Sequence, residues 1–244
     1  MCHYDLHIHS CLSPCGDDDM TPNNIVNMAV LKGLHLIAVS DHNTVGNVAS
    51  TMTVGRQAGL LVVPAMELCT AEEIHLLCLF PSLDAGLSFE ASVIGSAASP
   101  LNRPDVFGTQ CLLNPDDEVT GLESRMLLAA SGLGVDAALR LLDALGGVAV
   151  PAHIDRDAYS MTATLGQVPP GYGFHTVEIS RHADAVSVRK LHPETANAGY
   201  LVNSDAHHLQ DISDSVHDVF LPECAIPALV TAIREGKGFF DVKP

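Results

Sequence analysis

A series of short apolar runs, most of them followed by histidine or a carboxylate, constrains the fold of this chain more than any other feature. Residues 36–39 and 60–63 are two such runs, apolar throughout, as is typical of strands buried on both faces of a parallel sheet. Segments with helical periodicity, such as residues 45–58, separate several of the runs. This alternation predicts parallel βα units, with one local departure at residues 74–80, where one strand follows another.

The first run ends in a pair of histidines. His7 and His9 are separated by one residue, so a strand would direct both side chains to the same face. Two neutral imidazoles on one face contribute little to a core, but they suit a transition metal. This segment alone leaves a metal site and a pair of satisfied polar residues as alternatives.

Histidines and carboxylates recur at or near the ends of later strands. They are His42, Glu67, His75, His153, Asp205 and His207. In barrels of parallel strands, catalytic groups converge at the carboxyl rim. Histidines with carboxylates, and without paired cysteines, are typical of Zn²⁺, Mn²⁺ or Fe²⁺ sites rather than of structural zinc sites. The pattern therefore predicts a metal centre at one rim of the sheet.

Five segments in order resemble the motifs of the polymerase and histidinol phosphatase (PHP) family. They are DLHIHS at 5–10, SDHN at 40–43, Glu67, PAH at 151–153 and NSDAH at 203–207, so the resemblance extends from residue 4 to about residue 208. It implies an α/β fold, a distorted (β/α)7 TIM-like barrel, with two or three divalent metal ions at the carboxyl rim. It also implies hydrolysis of phosphomonoesters or phosphodiesters. We expect one domain over residues 1–244, with an inserted hairpin and helical segment at about 81–134 near the rim.

The same resemblance implies a ligand set and a division of roles. The metal ligands would be His7, His9, Asp17, His42, Glu67, His75, His153, Asp205 and His207. Glu67 would bridge two metal ions, and His42, Glu67, Asp205 and His207 would surround a metal-bridging hydroxide as the catalytic group. Many family members have a ligand five residues after the second histidine, where this chain has Pro14. We therefore expect Asp17 to take that role, with Asp18 or Asp19 as substitutes.

Two arginines are candidates for binding a phosphate group. Arg156 follows His153 by three residues, and Arg181 follows the apolar run at 176–179, so both are expected on loops at the rim. Arginine binds phosphate in a bidentate geometry, although a surface salt bridge is the alternative for each. His182 and His208 are further candidates at the same rim.

Composition bears on the substrate. The net charge is −17, aromatic residues make up 5% of the chain, and tryptophan is absent. An acidic surface with few stacking platforms predicts a small phosphorylated substrate and no long nucleic acid. Two other functions remain open: an amidohydrolase-like C–N hydrolase, although no lysine lies near a motif, and a non-catalytic metal-binding regulatory protein.

The remaining features concern the compartment. No uninterrupted apolar run reaches the roughly 18 residues of a membrane span, and we expect no leader before the histidines at residue 7. Seven scattered cysteines indicate a reducing compartment, so we expect a cytoplasmic protein with no membrane partner. A cysteine-ligated metal at Cys11 and Cys15 is disfavoured, because no second cysteine pair is present. The oligomeric state is left open.

Overall fold

The computed structural model describes residues 1–97 and 99–239, which form a mixed α/β fold. Its strands are β1 (Cys2–Ile8), β2 (Leu36–Val39), β3 (Leu61–Cys69), β4 (His75–Leu79), β5 (Cys111–Leu113), β6 (Val119–Leu122), β7 (Val148–Pro151), β8 (Thr176–Ser180), β9 (Gly199–Asn203) and β10 (Asp218–Val219). Its helices are α1 (Pro22–Leu31), α2 (Val48–Ala58), α3 (Leu83–Ser96), α4 (Pro104–Phe107), α5 (Val135–Ala144), α6 (Met161–Leu165), α7 (Ala185–Leu191) and α8 (Ile226–Glu235).

The main sheet has the strand order β10-β1-β2-β3-β4-β7, and β8 pairs with β9 in a second ladder. Strands β1, β2 and β3 are parallel, whereas β4 is antiparallel to both β3 and β7. Backbone hydrogen bonds join the ladders at one end: the Ile154 N–H donates to the Glu178 carbonyl and the Ala206 N–H to the His7 carbonyl. The sheet is therefore curled, which confirms the α/β, TIM-like expectation, while closure into a (β/α)7 barrel stays a prediction.

One apolar cluster lies inside the curled sheet. Six strands contribute fully buried side chains to it: Leu6, Leu36, Val63, Leu77, Val150 and Leu201. On the other side of β2, Ile37 and Val39 pack against α1 and α2. The short strands are thus covered on both faces, which explains their nearly continuous apolar sequences.

Capping residues and helical periodicity in the sequence predicted the starts of two helices to within a few residues. Thr21 caps α1 by accepting a hydrogen bond from the Asn24 N–H, and Pro22 is the first helical residue, as expected for a helix start. The predicted helix at 45–58 begins at Val48. Within the described residues, no helix combines the length and the apolar character that a membrane crossing requires.

Residues 81–134 were the least well predicted. No helix was predicted at Leu83–Ser96, which forms α3, whereas the hairpin of β5 and β6 was predicted. The helical segment expected in this insertion does not form at 124–130, which is extended and irregular. Its backbone bonds elsewhere: the Met126 N–H donates to the Pro100 carbonyl and the Leu127 N–H to Gln110 Oε1. Tertiary hydrogen bonds therefore override the local pattern.

Candidate active site

The predicted histidines and carboxylates meet at one rim of the sheet. His7 lies near the end of β1, His42 follows β2, and Glu67 lies near the end of β3. Because β4 is antiparallel, its first residue, His75, reaches this rim as well. His153 follows β7, and Asp205 and His207 follow β9. The strand ends thus bring together all of the predicted ligands except Asp17, although their role as ligands stays a prediction.

Glu67 is the centre of the cluster and is only 1% exposed. Its Oε1 lies 2.9 Å from His75 Nδ1, 3.2 Å from His153 Nε2 and 3.3 Å from His7 Nε2. Its Oε2 lies 3.0 Å from His42 Nδ1 and 3.4 Å from His9 Nε2. One carboxylate therefore faces five imidazoles, with each oxygen directed at a different set.

The charges within the cluster are strongly coupled. Burial would raise the pKa of Glu67, but the charges of His75 and His7 outweigh it and hold that pKa well below its usual value. Burial would lower the pKa of His9, yet hydrogen bonds to Asp205 and Glu67 raise it to about 9. Burial does prevail at His42, where it lowers the pKa to about 4. The two buried carboxylates thus attract positive charge, which protons or metal cations can supply.

The donor atoms fit divalent metal ions. Among the described residues, three groups have their ligating atoms within 4.8 Å of one another: His7, His9 and Glu67; His42, Glu67 and His75; and His9, Cys15, His42 and His207. His7 Nε2 and His42 Nδ1 are buried and face the Glu67 carboxylate, yet neither makes a hydrogen bond. Buried polar atoms are normally hydrogen-bonded, so nitrogens and carboxylate oxygens that face one another without such a bond fit a site for a cation.

Glu178 supports the site, and the sequence analysis did not single it out. Its carboxylate is fully buried and lies 2.9 Å from His7 Nδ1, where it orients the ring. It also accepts hydrogen bonds from the Asn203 side chain and the His153 N–H. A carboxylate that fixes a metal-binding histidine is a common arrangement. The available clue was a single glutamate within the buried apolar strand β8.

Asp41 supports His9 through a serine. Ser13 Oγ donates to Asp41 Oδ1 at 2.7 Å, so its lone pairs accept from His9 Nδ1 at 3.1 Å. Ser10 Oγ also donates to Asp41, at 2.6 Å. With its proton on Nδ1, neutral His9 has the Nε2 lone pair available to the cluster.

Two of the predicted ligands have a strained backbone. His153 has a φ of 32° and Asp205 a φ of 52°, in a region that residues other than glycine seldom adopt. Such strain persists only where the surroundings enforce it and is often found at functional sites. Here the hydrogen bonds of Glu178 and of the Ala206 backbone hold both turns in place.

A cavity of about 500 Å³ opens next to the cluster. Its wall includes Glu67, Arg156 and Leu128, so the segment at 81–134 reaches the rim. The Arg156 Nη1–H donates to Asp205 Oδ2 at 2.5 Å. Arg181 does not line this cavity, because the Asp211 side chain holds its guanidinium at 2.8 Å. The two arginines that the sequence treated alike are therefore in different environments.

The loop after His9 differs from the expectation. Asp17 is exposed, and its carboxylate lies 3.4 Å from His208 Nδ1 rather than in one of the three groups. Asp18 and Asp19 are exposed too. Cys15, which was disfavoured, lies in a group with His9, His42 and His207 and lines the cavity. Its partial desolvation and the charges of Glu67 and Asp41 raise the pKa of its thiol.

The fold can now be compared with solved structures. Endonuclease Q from Pyrococcus furiosus is similar over 97% of this chain and 56% of its own, at 19% identity and a TM-score of 0.67. A two-domain protein from Bacteroides vulgatus with a predicted PHP-like metal-dependent phosphoesterase is similar over 97% of this chain and 63% of its own, at 16% identity and a TM-score of 0.59. This chain has a PHP-like fold.

The PHP-like fold also occurs in a neighbour with a different description. An amidohydrolase from Chromobacterium violaceum, which contains bound sulfate and no metal, is similar over 86% of this chain and 89% of its own, at 19% identity and a TM-score of 0.58. No protein-family model matches the chain. The solved structures therefore establish the fold, and the predicted resemblance is confirmed at that level.

Two curated relatives match parts of the sequence. An uncharacterized protein from Methanocaldococcus jannaschii is 35% identical over 98 residues, which are 36% of this chain and 57% of that protein. A 5′–3′ exoribonuclease from Haemophilus influenzae is 24% identical over 200 residues, which are 65% of this chain and 70% of that enzyme. The chain thus spans little more than half the length of the first relative and of endonuclease Q.

One expectation about partners is wrong. The acidic composition led us to exclude long nucleic acids, but endonuclease Q has been solved with a 27-mer DNA duplex that carries an abasic lesion at its active site. That structure is similar over 96% of this chain and 57% of its own, at a TM-score of 0.67. Net charge averages over the whole surface, whereas a local metal centre can be positive within an acidic protein.

Proposed function

We propose that this chain is a metal-dependent phosphoesterase that hydrolyses a phosphodiester bond in a nucleic-acid strand. The observation that carries the proposal is Glu67, a buried carboxylate whose two oxygens face different sets of imidazoles. Such a carboxylate suits a bridge between two divalent metal ions, with Mn²⁺, Fe²⁺ and Zn²⁺ as the cations that match the donor set.

Different residues would bind the metal ions and orient their ligands around Glu67. His7, His9, His42, His75, His153, Asp205 and His207 would hold the metal ions with Glu67. Glu178 and Asp41 keep the rings of His7 and His9 in position through hydrogen bonds. When bound, the metal ions would lower the pKa of a shared water and neutralise phosphoryl oxygens.

Arg156 is the residue that we assign to the phosphate. Its Nη1 is bound to Asp205 and its Nε to Ser180 Oγ at 3.3 Å, and a guanidinium has five N–H donors in all. Donors therefore remain for a phosphoryl oxygen in the cavity. Arg181, held by Asp211, is a weaker candidate.

Nucleic acid is favoured as the substrate because two similar proteins, endonuclease Q and the exoribonuclease, are nucleases by description. The chain has few basic groups, with 12 lysines and arginines against 29 acids. We therefore expect binding to depend on the metal centre and on Arg156, and to have a weaker salt dependence than proteins that use a basic groove.

A C–N hydrolase is the second candidate, because an amidohydrolase shares the fold. Both reactions need an activated water, so the metal centre alone does not separate them. The guanidinium of Arg156 in the cavity wall suits the negatively charged phosphate group of a phosphoester better than a neutral amide.

The test combines metal analysis with a substrate panel. The purified chain would be stripped of metal and reloaded with Mn²⁺, Fe²⁺ or Zn²⁺. It would then be assayed on end-labelled single-stranded RNA and DNA, a duplex with an abasic site, bis(p-nitrophenyl) phosphate and an N-acyl amide. We expect more than one metal per chain and metal-dependent phosphodiester cleavage, which is lost in folded His7→Ala. Metal content below one per chain, or turnover of the amide alone, would overturn the proposal.

A further inference from the structure

The group of His9, Cys15, His42 and His207 contains the one ligating sulfur among the three groups of donors. Its four atoms lie within 4.8 Å of one another. Zinc binds nitrogen at about 2.0–2.1 Å and thiolate sulfur at about 2.3 Å in a tetrahedral arrangement. Donors around such a cation are about 3.3–3.6 Å apart, so a contraction of up to about 1.4 Å would bring all four to a common cation.

The backbone of the loop brings Cys15 to this position. The Ser13 N–H donates to the Ser10 carbonyl, and the Gly16 N–H donates to the Ser13 carbonyl. A Cβ at Gly16 would lie 2.4 Å from the Ser10 carbonyl oxygen, so only glycine fits after the cysteine. The Asp17 N–H then donates to the His207 carbonyl at 2.9 Å. The loop is thus bound directly to the residue that faces Cys15.

Two of the neighbouring imidazoles, His207 and His9, have a hydrogen bond at Nδ1 that leaves the Nε2 lone pair of the neutral ring available. His207 Nδ1 lies 2.8 Å from the Asp205 carbonyl oxygen, which can only accept, so the lone pair of the neutral ring is on Nε2. The proton of His9 is likewise held on Nδ1 by Ser13. The His9 ring lies between those of His207 and His42, with centroid distances of 4.5 and 4.6 Å.

We propose that Cys15 is a thiolate ligand and that, with His9, His42 and His207, it forms a His₃Cys metal position beside the cavity. The proposal rests on the metal centre proposed above and specifies its third position. On binding, the thiol proton is released to solvent and a sulfur–metal bond forms. A thiolate favours Zn²⁺ or Co²⁺ over Mn²⁺ and Mg²⁺, which prefer oxygen ligands. The chain would therefore hold a thiophilic cation at this position and tolerate several cations beside Glu67.

Cobalt binding tests the proposal without measuring activity. Co²⁺ would be titrated into the metal-stripped full chain, and the near-ultraviolet absorption recorded, where thiolate-to-cobalt charge transfer appears. We expect the band in the wild type and in Cys224→Ser, a matched control because Cys224 is also an exposed cysteine. Cys15→Ser should lose the band, bind one cobalt fewer, and show more than about 10-fold weaker zinc binding at that position.

A second variant tests whether the loss of the band in Cys15→Ser is caused only by misfolding of the loop. Cys15→Asp keeps a negatively charged ligand, so it should restore the third metal without the charge-transfer band and shift the preference towards Mn²⁺. A band of unchanged intensity in Cys15→Ser would overturn the proposal, as would a wild type that binds cobalt at Glu67 without the band. A wild type that binds no cobalt at all would instead contradict the proposed metal-dependent function.

Discussion

Two parts of the metal centre differ in depth and in donor chemistry. The two groups that contain Glu67, here called the inner groups, consist of imidazoles and a carboxylate that are at most 9% exposed. The outer group, with Cys15 and His207, has a sulfur donor and opens to the cavity. The inner groups are built on strand ends and the outer one partly on a loop. The two parts share His9 and His42, so they differ in Glu67 on the inner side and in Cys15 and His207 on the outer side.

Glu67→Gln should give the largest effect, because it removes the charge that the inner groups share while the shape of the side chain is kept. We expect the inner metals to be lost and phosphodiester cleavage to fall at least about 10³-fold, which corresponds to about 4 kcal/mol of transition-state stabilisation. The cobalt–thiolate band of the outer group should persist. Glu223→Gln, an exposed acid, is the control. Retention of all metals in Glu67→Gln would contradict the bridging role.

Glu178→Gln and Asp41→Asn should separate the two parts further. Glu178 orients His7, which belongs to an inner group, and Asp41 acts through Ser13 on His9. Loss of such a supporting carboxylate typically lowers metal affinity by about 10- to 100-fold. Calorimetric titration with Zn²⁺ should show Glu178→Gln weakening only an inner site, and Asp41→Asn weakening the outer site together with the inner site that shares His9. Equal losses at every site in both variants would show that the parts are not independent.

The metal-free chain should be most stable near pH 6.5 and less stable on either side. His9 and His75 have folded-state pKa values of about 9 and about 10, so their stabilising contribution is complete below the unfolded value of about 6.5 and is lost as the pH rises through 9 and 10. His42, with a pKa of about 4, binds fewer protons when folded, and stability falls as the pH drops below about 6.5.

The measurement is the melting temperature of chelated protein from pH 4 to pH 10. Saturating Zn²⁺ should flatten the alkaline limb, because the cation replaces the protons on His9 and His75. An alkaline limb of the same slope with and without metal would indicate that these histidines are not ligands.

Arg156→Gln should have the smallest effect, confined to substrate binding. Charge-assisted hydrogen bonds contribute about 1.5–3 kcal/mol when buried, and partial exposure reduces this contribution, so KM should rise about 5- to 10-fold with metal content unchanged. Arg181→Gln is the matched variant, and its KM should change less than twofold, because Asp211 already holds that guanidinium. Equal increases in KM for both variants would indicate that Arg181 also contacts the phosphate group of the substrate.

The sequence predicted the inner groups better than the outer one. Each histidine predicted as a ligand lies at the rim, because the start, end and direction of a short buried strand can be predicted from its apolar sequence. Cys15 was missed because position along an irregular loop does not follow from counting: the turns at Ser13 and Gly16 fold the loop back towards His207. Glu178 was missed for a topological reason, since its partner His7 is 171 residues away and nothing local indicates the contact.

The antiparallel course of β4 has a consequence for how the centre assembles. Glu67 and His75 are only eight residues apart, so one short hairpin brings the central carboxylate and its first imidazole together with little loss of chain entropy. The remaining contacts need distant parts of the chain, which close slowly during folding. A nascent β3–β4 hairpin that bound a cation would therefore form a nucleus around which the later strands dock. Metal present during refolding should then accelerate folding, rather than only stabilise the finished protein.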